Sequence, residues 1–526
     1  MYDVVIVGAG SAGCVLANRL SADPSRRIAL IEAGPAKHGT LLVRSAFLHQ
    51  KLWYGKLCWG YRTVPQPHVA NREMYWPRGK VVGGSNSLNA VVYIRGHRDN
   101  YDEWRDLGNP GWGYDDVLPY FKKAEDNERG ASTFHGAGGP LPVHDAVPAA
   151  IIKKLIEATA KHCKVPITDD FNGASQEGVG VAQVNIRNGE RASSATGYLD
   201  PIRTRSNLTV ITEALALRLV LDGDRCTGVK IRVRGSEQVI AGREVIVCGG
   251  AIGSPHLLML SGIGVGAELK AAGVVPRHEL AGVGKHLEDH LLAYLTFRTR
   301  PGATMPLTRR GVLWNVVKHA LTKRGMLAGA PIEALAFIKQ TPDAPRPDNQ
   351  FHLTPWGLAE PNTDEQRPDP FGSFVSIVPG LIYPRSSGEI TLRSADPTQA
   401  PLIDPRYFSD PRDLEHLLAG VKIAREIAAT EPIASELIGE KYPGPRVQSD
   451  DQLRAWIRQS VNTIFHPTGT CKMGTDRRAV VDPELRVHGI RNLRVADASV
   501  MPRIVGGNTN APTIMIAERC ADIMLR

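Results

Sequence analysis

Asp3-Val4-Val5-Ile6-Val7 opens the chain as a β-branched apolar run, the pattern of a buried strand. The run stops at Gly8-Ala9-Gly10-Ser11-Ala12-Gly13, and apolar residues then recur at helical spacing (Val15, Leu16, Leu20). A second apolar run, Ile28-Ala29-Leu30-Ile31, ends on Glu32 and Ala33. Strand, glycine turn, helix, strand, acid is the order of a dinucleotide-binding unit. Gly8 suits the tight turn, Gly10 lets backbone approach a pyrophosphate, and Gly13 allows close helix–strand packing. Phosphates would rest on the helix N-terminus at Ser11 and Ala12, where free N–H groups and the dipole favour anions. Glu32 stands where a carboxylate can accept hydrogen bonds from a ribose, and an acid there disfavours NADP.

Farther along, short β-rich runs (208–211, 229–233, 245–247) alternate with turns and lead into a helix over 255–260. The prolines and acids of 341–370 predict largely irregular chain, and 372–393 reads as two strands. Amphipathic helices are expected over 411–430 and 450–460, the first opened by Asp410-Pro411. The chain closes with a strand at 493–496, Asp497, a loop and a helix from about 511 to 524. In 309–324, Leu313, Val316, Val317, Ala320 and Leu321 share one face, with Lys318, Lys323 and Arg324 off it. A helix packing that face on its own domain is the favoured reading, and a membrane-surface helix is the alternative.

A length of 526 residues predicts two or three domains, and 42 % hydrophobic with 22 % charged residues predicts a globular protein. The net charge of +9 is dispersed, with no basic run of five, so a solvated basic surface is expected rather than a nucleic-acid partner. Seven cysteines, an odd number without Cys-x-x-Cys, suit a reducing compartment. No signal peptide fits ahead of the first strand, and no apolar stretch reaches transmembrane length. A cytoplasmic protein is expected, with peripheral contact at the inner membrane face as the alternative.

Three further segments carry candidate chemistry. Gly79-Lys80-Val81-Val82-Gly83-Gly84-Ser85-Asn86-Ser87 is a second glycine cluster, continuing to Asn89 and Ala90. His466 lies in Asn462-Thr463-Ile464-Phe465-His466-Pro467, and Asn508 follows 42 residues later in Gly507-Asn508-Thr509-Asn510-Ala511. These segments occur in one order with the opening βαβ unit and with Gly250-Ala251-Ile252-Gly253-Ser254-Pro255. The set resembles the glucose–methanol–choline family of FAD oxidoreductases over nearly the whole chain, closest to its bacterial alcohol, choline and sorbose dehydrogenase branch.

The resemblance implies an α/β fold: a Rossmann-like FAD-binding domain interleaved with a substrate domain on a mixed or antiparallel sheet with helices. The FAD domain would use 1–149, 190–292 and 462–526, and the substrate domain 150–189 and 293–461. His466 matches the family's general base, and Asn508 the partner that holds the substrate oxygen. Gly8, Gly10, Ser11, Ala12, Gly13, Glu32 and Ala33 match the ADP-ribose site; Val82, Gly83, Ser85, Asn89 and Ala90 match the cluster over the isoalloxazine. Ala214 and Ala216 match the strand touching adenine. Asp497 and Ala498 match the strand end near the ribityl chain, and Asn508, Asn510 and Ala511 the flavin pyrimidine. His352, in Pro347-Asp348-Asn349-Gln350-Phe351-His352, and Phe465 are candidates for substrate contact. Leu88 stands where some members carry a flavin-linking His, so FAD is expected to be non-covalent. Asn86 replaces a small hydroxyl residue in the same cluster.

His286-Leu287-Glu288-Asp289-His290 lacks a zinc spacing and matches a family loop, so no metal is expected. The implied reaction takes an alcohol to an aldehyde or ketone, with oxygen, a quinone or an electron carrier as acceptor. The competing readings are a flavin-bearing lyase of the hydroxynitrile type and an NAD-dependent dehydrogenase using the first motif alone.

Overall fold

The computed structural model describes residues 1–304, 309–358, 368–369 and 373–526. Tyr2–Val7 is the middle of a seven-stranded sheet, its last four residues buried. Ile28–Ile31 and the C-terminal half of Ser236–Val247 flank it in parallel, with Val5 opposite Ala29 and Val245. Leu208–Ile211 extends the sheet beyond Ile28–Ile31, and Leu493–Val495 beyond Val245–Val247, both in parallel. The N-terminal half of Ser236–Val247 turns away and pairs antiparallel with Arg225–Val233, which pairs with Ala214–Asp222. Gly8, Glu32, Cys248 and Ala496 therefore follow the carboxyl ends of parallel strands, the edge where open α/β sheets bind ligands.

Helices cover this sheet. Ser11–Leu20 buries most of its length and packs against the closing helix, Asn510–Leu525. The two are pinned by Arg19, whose Nη2 is 2.7 Å from Glu518, and by Ser11 Oγ, which donates to Asn510 at 2.8 Å. Tyr198 Oη also donates to Glu518, at 2.9 Å.

A second sheet of eight strands is antiparallel throughout its ladders. Its order is Leu437–Tyr442, Leu295–Thr299, Phe374–Leu381, Asn349–Thr354, Ala334–Ile338, Gly178–Val181; Leu291–Leu292 joins Phe374–Leu381 to Asn462–Thr463. Pro411–Ala428 packs on its Phe374–Leu381 strand. The Asp410 carboxylate caps that helix by accepting from Arg412 N–H at 3.0 Å, and Pro411 occupies the first turn.

Two expectations change. The segment 341–370 was expected to be irregular, yet it contains Asn349–Thr354, a central strand buried at all six positions. Polar Asn349, Gln350, His352 and Thr354 disguise it, because the strand is covered on both faces and does not alternate. The residues 359–367 of that segment lie outside the described residues. The helix expected in 309–324 is present as Arg309–Thr322, but part of the face expected to pack on its domain is outward. His319 is fully buried, whereas Val317 is 41 % and Leu321 79 % exposed.

Candidate active site

A cavity of about 480 Å³ runs from the edge of the parallel sheet to the antiparallel one. Its nucleotide end is lined by Gly8, Gly10, Ser11, Ala12, Glu32, Ala33, Ala214 and Ala216, all anticipated from the sequence. Gly8 has φ +106°, and a Cβ there would lie 2.4 Å from the Cys248 carbonyl oxygen. A Cβ at Gly13 would lie 1.8 Å from the Gly8 carbonyl oxygen. Gly13 thus sits behind the cavity, where it permits the packing that shapes the turn.

Glu32 is held from the protein side. Its Oε2 accepts from Ala9 N–H at 2.9 Å and its Oε1 from Gly34 N–H at 2.8 Å. Burial pushes its carboxyl up to about 7 against these donors. The second glycine cluster rests on the first: Gly83 N–H donates to Ala9 O at 2.7 Å, and a Cβ on Gly84 would meet Gly10 Cα at 2.7 Å. Ser85, Leu88, Asn89 and Ala90 reach the cavity wall, whereas Val82, Gly83 and Ala511 lie one layer behind it. Asn86 also turns away from the cavity, its Oδ1 accepting from Ser194 N–H at 2.7 Å.

Asp497 and Ala498 line the floor. Asp497 accepts four hydrogen bonds: Gly250 N–H (2.8 Å), Ser254 Oγ (2.6 Å), Ser499 N–H (2.8 Å) and Ser499 Oγ (2.6 Å). Thr509 and Asn510 bring in the start of the closing helix. Neither that helix nor Ser11–Leu20 has a side-chain cap on its N-terminus among the described residues. Their first-turn N–H groups are thus left for an anionic ligand. Two glycine-lined backbone cradles, two uncapped helix ends and a buried acid fit an FAD dinucleotide.

At the far end stand His466 and Asn508, with Asn508 Nδ2 3.2 Å from His466 Nε2. The sequence did not single out what holds them. Gln350 Nε2 donates to Asn508 Oδ1 at 3.2 Å, which turns the Asn508 amino group towards His466. His466 Nε2 is therefore an acceptor, and its ring proton is on Nδ1. That nitrogen is 3.1 Å from His290 Nδ1, with the rings perpendicular, so His290 accepts there and carries its own proton on Nε2. Asp289 Oδ1 accepts from His466 N–H at 2.7 Å, and its Oδ2 accepts from Tyr407 Oη at 2.5 Å and from the Thr463 hydroxyl. The loop that looked like a metal cluster in the sequence is thus a platform for His466. Its remaining residues point elsewhere: His286 Nε2 lies 2.9 Å from Pro502 O, and Glu288 accepts from Arg503 and from Ile504 N–H.

Burial, reinforced by His290, His352 and the Arg78 guanidinium, holds His466 well below its ordinary pKa of 6.5. The ring is neutral at pH 7, the form that can accept a proton. Phe465 precedes it at φ +66°, a conformation costly for a bulky side chain. Three contacts hold it there. Its N–H donates to Thr463 Oγ1 (2.7 Å), its carbonyl accepts from Arg78 Nη2 (2.6 Å), and its ring meets Trp53 edge-on at 4.9 Å.

His352 is buried in the cavity wall, and both its ring nitrogens lack a partner among the described residues. Burial lowers it to about 4. Phe47, Trp53, Tyr294, Trp356 and Phe465 complete an aromatic end to the cavity.

Fold and site together define a flavin-dependent oxidoreductase, and the family models agree: a GMC oxidoreductase N-terminal model matches residues 2–292 and its C-terminal counterpart residues 384–517. The chain belongs to the GMC oxidoreductases. It is 43 % identical to an alcohol dehydrogenase [acceptor] of Pseudomonas putida, covering 100 % of this chain and 96 % of that protein. It is 42 % identical to the mitochondrial choline dehydrogenase of Homo sapiens, over 99 % of this chain and 89 % of that one. The crystal structure of pyridoxine 4-oxidase from Mesorbium loti superposes with a TM-score of 0.90 at 32 % identity, covering 99 % of both chains. The protein is an FAD-dependent enzyme that oxidises the CH–OH group of an alcohol. These relatives lend no support to the lyase or NAD readings.

Proposed function

We propose that His466 is the base that removes the hydroxyl proton of the alcohol, and that Asn508 donates to the same oxygen. The observation that carries this reading is the buried His466 ring, whose Nε2 lies 3.2 Å from Asn508 Nδ2 at the aromatic end of the cavity. A substrate hydroxyl entering between the two would accept from Asn508 Nδ2 and donate to His466 Nε2. The resulting imidazolium keeps its Nδ1–H bond to neutral His290, so no new donor is left unpaired. FAD, when bound, supplies the hydride acceptor. His352 is proposed to meet the substrate through its free ring nitrogens. The substrate is proposed to be a neutral alcohol with an apolar or aromatic body, matching the wall of Phe47, Trp53, Tyr294, Trp356 and Phe465.

The test is anaerobic mixing of the purified protein with aliphatic, aromatic, polyol and amino alcohols. Aliphatic or aromatic alcohols are expected to bleach the oxidised-flavin spectrum, and polyols to do so more slowly. Air would then separate an oxidase from an enzyme that needs a quinone or an electron carrier. A flavin spectrum unmoved by every alcohol overturns the assignment.

We further propose that FAD is held without a covalent bond. The Leu88 side chain at the cavity wall offers no nucleophile to the flavin. Acid precipitation should leave the flavin in the supernatant; a yellow pellet would show a covalent link. The division proposed for the chain keeps 1–149, 190–292 and 462–526 with the cofactor and 150–189 and 293–461 with the substrate. All seven cysteines are free among the described residues, and a cytoplasmic setting is the reading they support.

A further inference from the structure

Arg191 ends the short strand Glu190–Arg191 and is buried against the second glycine cluster, with 4 % of its surface exposed. Its Nε donates to Val43 O at 2.9 Å, and its Nη1 to Asn86 O at 3.3 Å and to Asn89 Oδ1 at 2.8 Å. All three acceptors are neutral. Nη2 is buried without a partner among the described residues. A guanidinium taken out of water is ordinarily matched to a carboxylate. Here burial acts on it unopposed and brings it down to about 9, which leaves it a cation at pH 7.

The charges beside it are engaged elsewhere. Glu190, the residue before it, accepts from Arg44 Nε at 2.7 Å and lies 2.8 Å from Lys323 Nζ. His49, in the cavity wall, is held down to about 3, first by burial and then by the Arg191 charge. The guanidinium is therefore felt at the cavity surface. Asn89 carries its effect there too. The Asn89 Oδ1 accepts from Arg191 and, at 3.1 Å, from Val91 N–H, so both its lone pairs are spent on the protein side. The amino group is what Asn89 has left for the cavity that it lines.

We propose that Arg191 is a positioning residue for the flavin: it turns the Asn89 amino group towards the isoalloxazine and sets a fixed positive charge behind that ring. A hydride accepted by the neutral ring brings two electrons and one proton and leaves the ring one unit negative. The alcohol is oxidised to its carbonyl, and its hydroxyl proton stays on the base. A buried cation with no carboxylate beside it favours the negative form, because neither water nor a counter-ion cancels its field. Arg191 thus gains its missing counter-charge when the ring is reduced. This role rests on the proposed placing of the isoalloxazine against the Asn89 wall, and not on which group is the base.

The test compares the FAD-loaded full chain with its Arg191→Met, Arg191→Lys and Asn89→Leu variants in two measurements that use no alcohol. The first is sulfite binding: sulfite adds its sulfur electron pair to the oxidised ring, puts negative charge on it and bleaches its visible absorbance. The second is the two-electron midpoint potential against a reference dye. Arg191→Met should weaken sulfite binding by about tenfold or more and lower the potential, by about 30 mV for each factor of ten. Arg191→Lys keeps a cation and should recover most of the difference. Asn89→Leu should shift the visible flavin spectrum. Wild-type sulfite affinity and potential in Arg191→Met overturn the proposal. So does a Lys variant that loses as much as the Met variant, since charge would then not be the agent. Should Arg191→Met release FAD, Arg191→Lys decides alone: sulfite binding near the wild-type level supports the charge, and a loss of about tenfold overturns it. A spectrum unmoved in Asn89→Leu would place the ring away from this wall and overturn the proposal at its premise, while bleaching by alcohols would still judge His466 separately.

Discussion

Replacing His466 with Ala should leave FAD bound and lower the rate of alcohol oxidation by about two to four orders of magnitude. The cofactor should stay because the nucleotide cradle, Glu32 and Asp497 are untouched by the change. The rate should fall because the group proposed to take the hydroxyl proton is gone, and Asn508 can donate to an alkoxide but cannot accept its proton. The wild-type pH profile gives a second reading of the same residue. His466 is held below 6.5 chiefly by burial, so its neutral form is kept as pH falls through 6.5. kcat/KM should therefore stay level from neutral pH to below 6.5 and drop only when the buried ring finally takes a proton. Near-full turnover by the variant, or a wild-type acid limb centred at 6.5 or above, would sink the assignment of the base.

Arg95→Ala should cost about 3–5 kcal/mol of stability, because it takes one of two cations from a buried acid. Arg95 is fully buried and donates to the Glu125 carboxylate, to Phe134 O (2.7 Å) and to Tyr93 Oη (3.2 Å). Glu125 also meets His135 Nδ1 at 2.9 Å, and His135 Nε2 meets Asp170 at 2.9 Å. Burial opposes a charge on His135, but hydrogen bonds from it to Asp170 and Glu125 hold it up at about 9. Two cations and two carboxylates thus alternate inside the protein, close to the Asn89–Val92 stretch of the cavity wall. Removing Arg95 leaves Glu125 with one cation and without its best donor. A thermal midpoint lower by several degrees is the expected result; an unchanged midpoint would mean the network contributes little.

The nucleotide end of the site was legible because local chemistry writes it in consecutive residues. Gly8 and Gly13 are glycines for steric reasons, and a strand, turn and helix within twenty residues carry that signal. His466 and Asn508 needed the resemblance, since a His before Pro and an Asn in a loop carry no pattern of their own. Gln350, His290 and Asp289 lie in segments the sequence did pick out, but nothing local says that they orient those two residues, and Arg78 carries no signal of its own. They arrive from distant strands and loops, and a buried polar side chain looks the same in sequence as one facing water. The same blindness hid the Asn349–Thr354 strand. In Arg309–Thr322 periodicity identified the helix but not its outward face, because spacing says which residues share a side and not what covers it.

The clasp between the first and last helices has a consequence for the newborn chain. Ser11–Leu20 is made long before its partner Asn510–Leu525. At ordinary elongation rates the interval is on the order of a minute. Throughout it the buried side of the first helix and the Arg19 side of the clasp wait without Glu518. The nucleotide cradle therefore closes only once Asn510–Leu525 has emerged, and through that interval the apolar side of the first helix stays open to other partners.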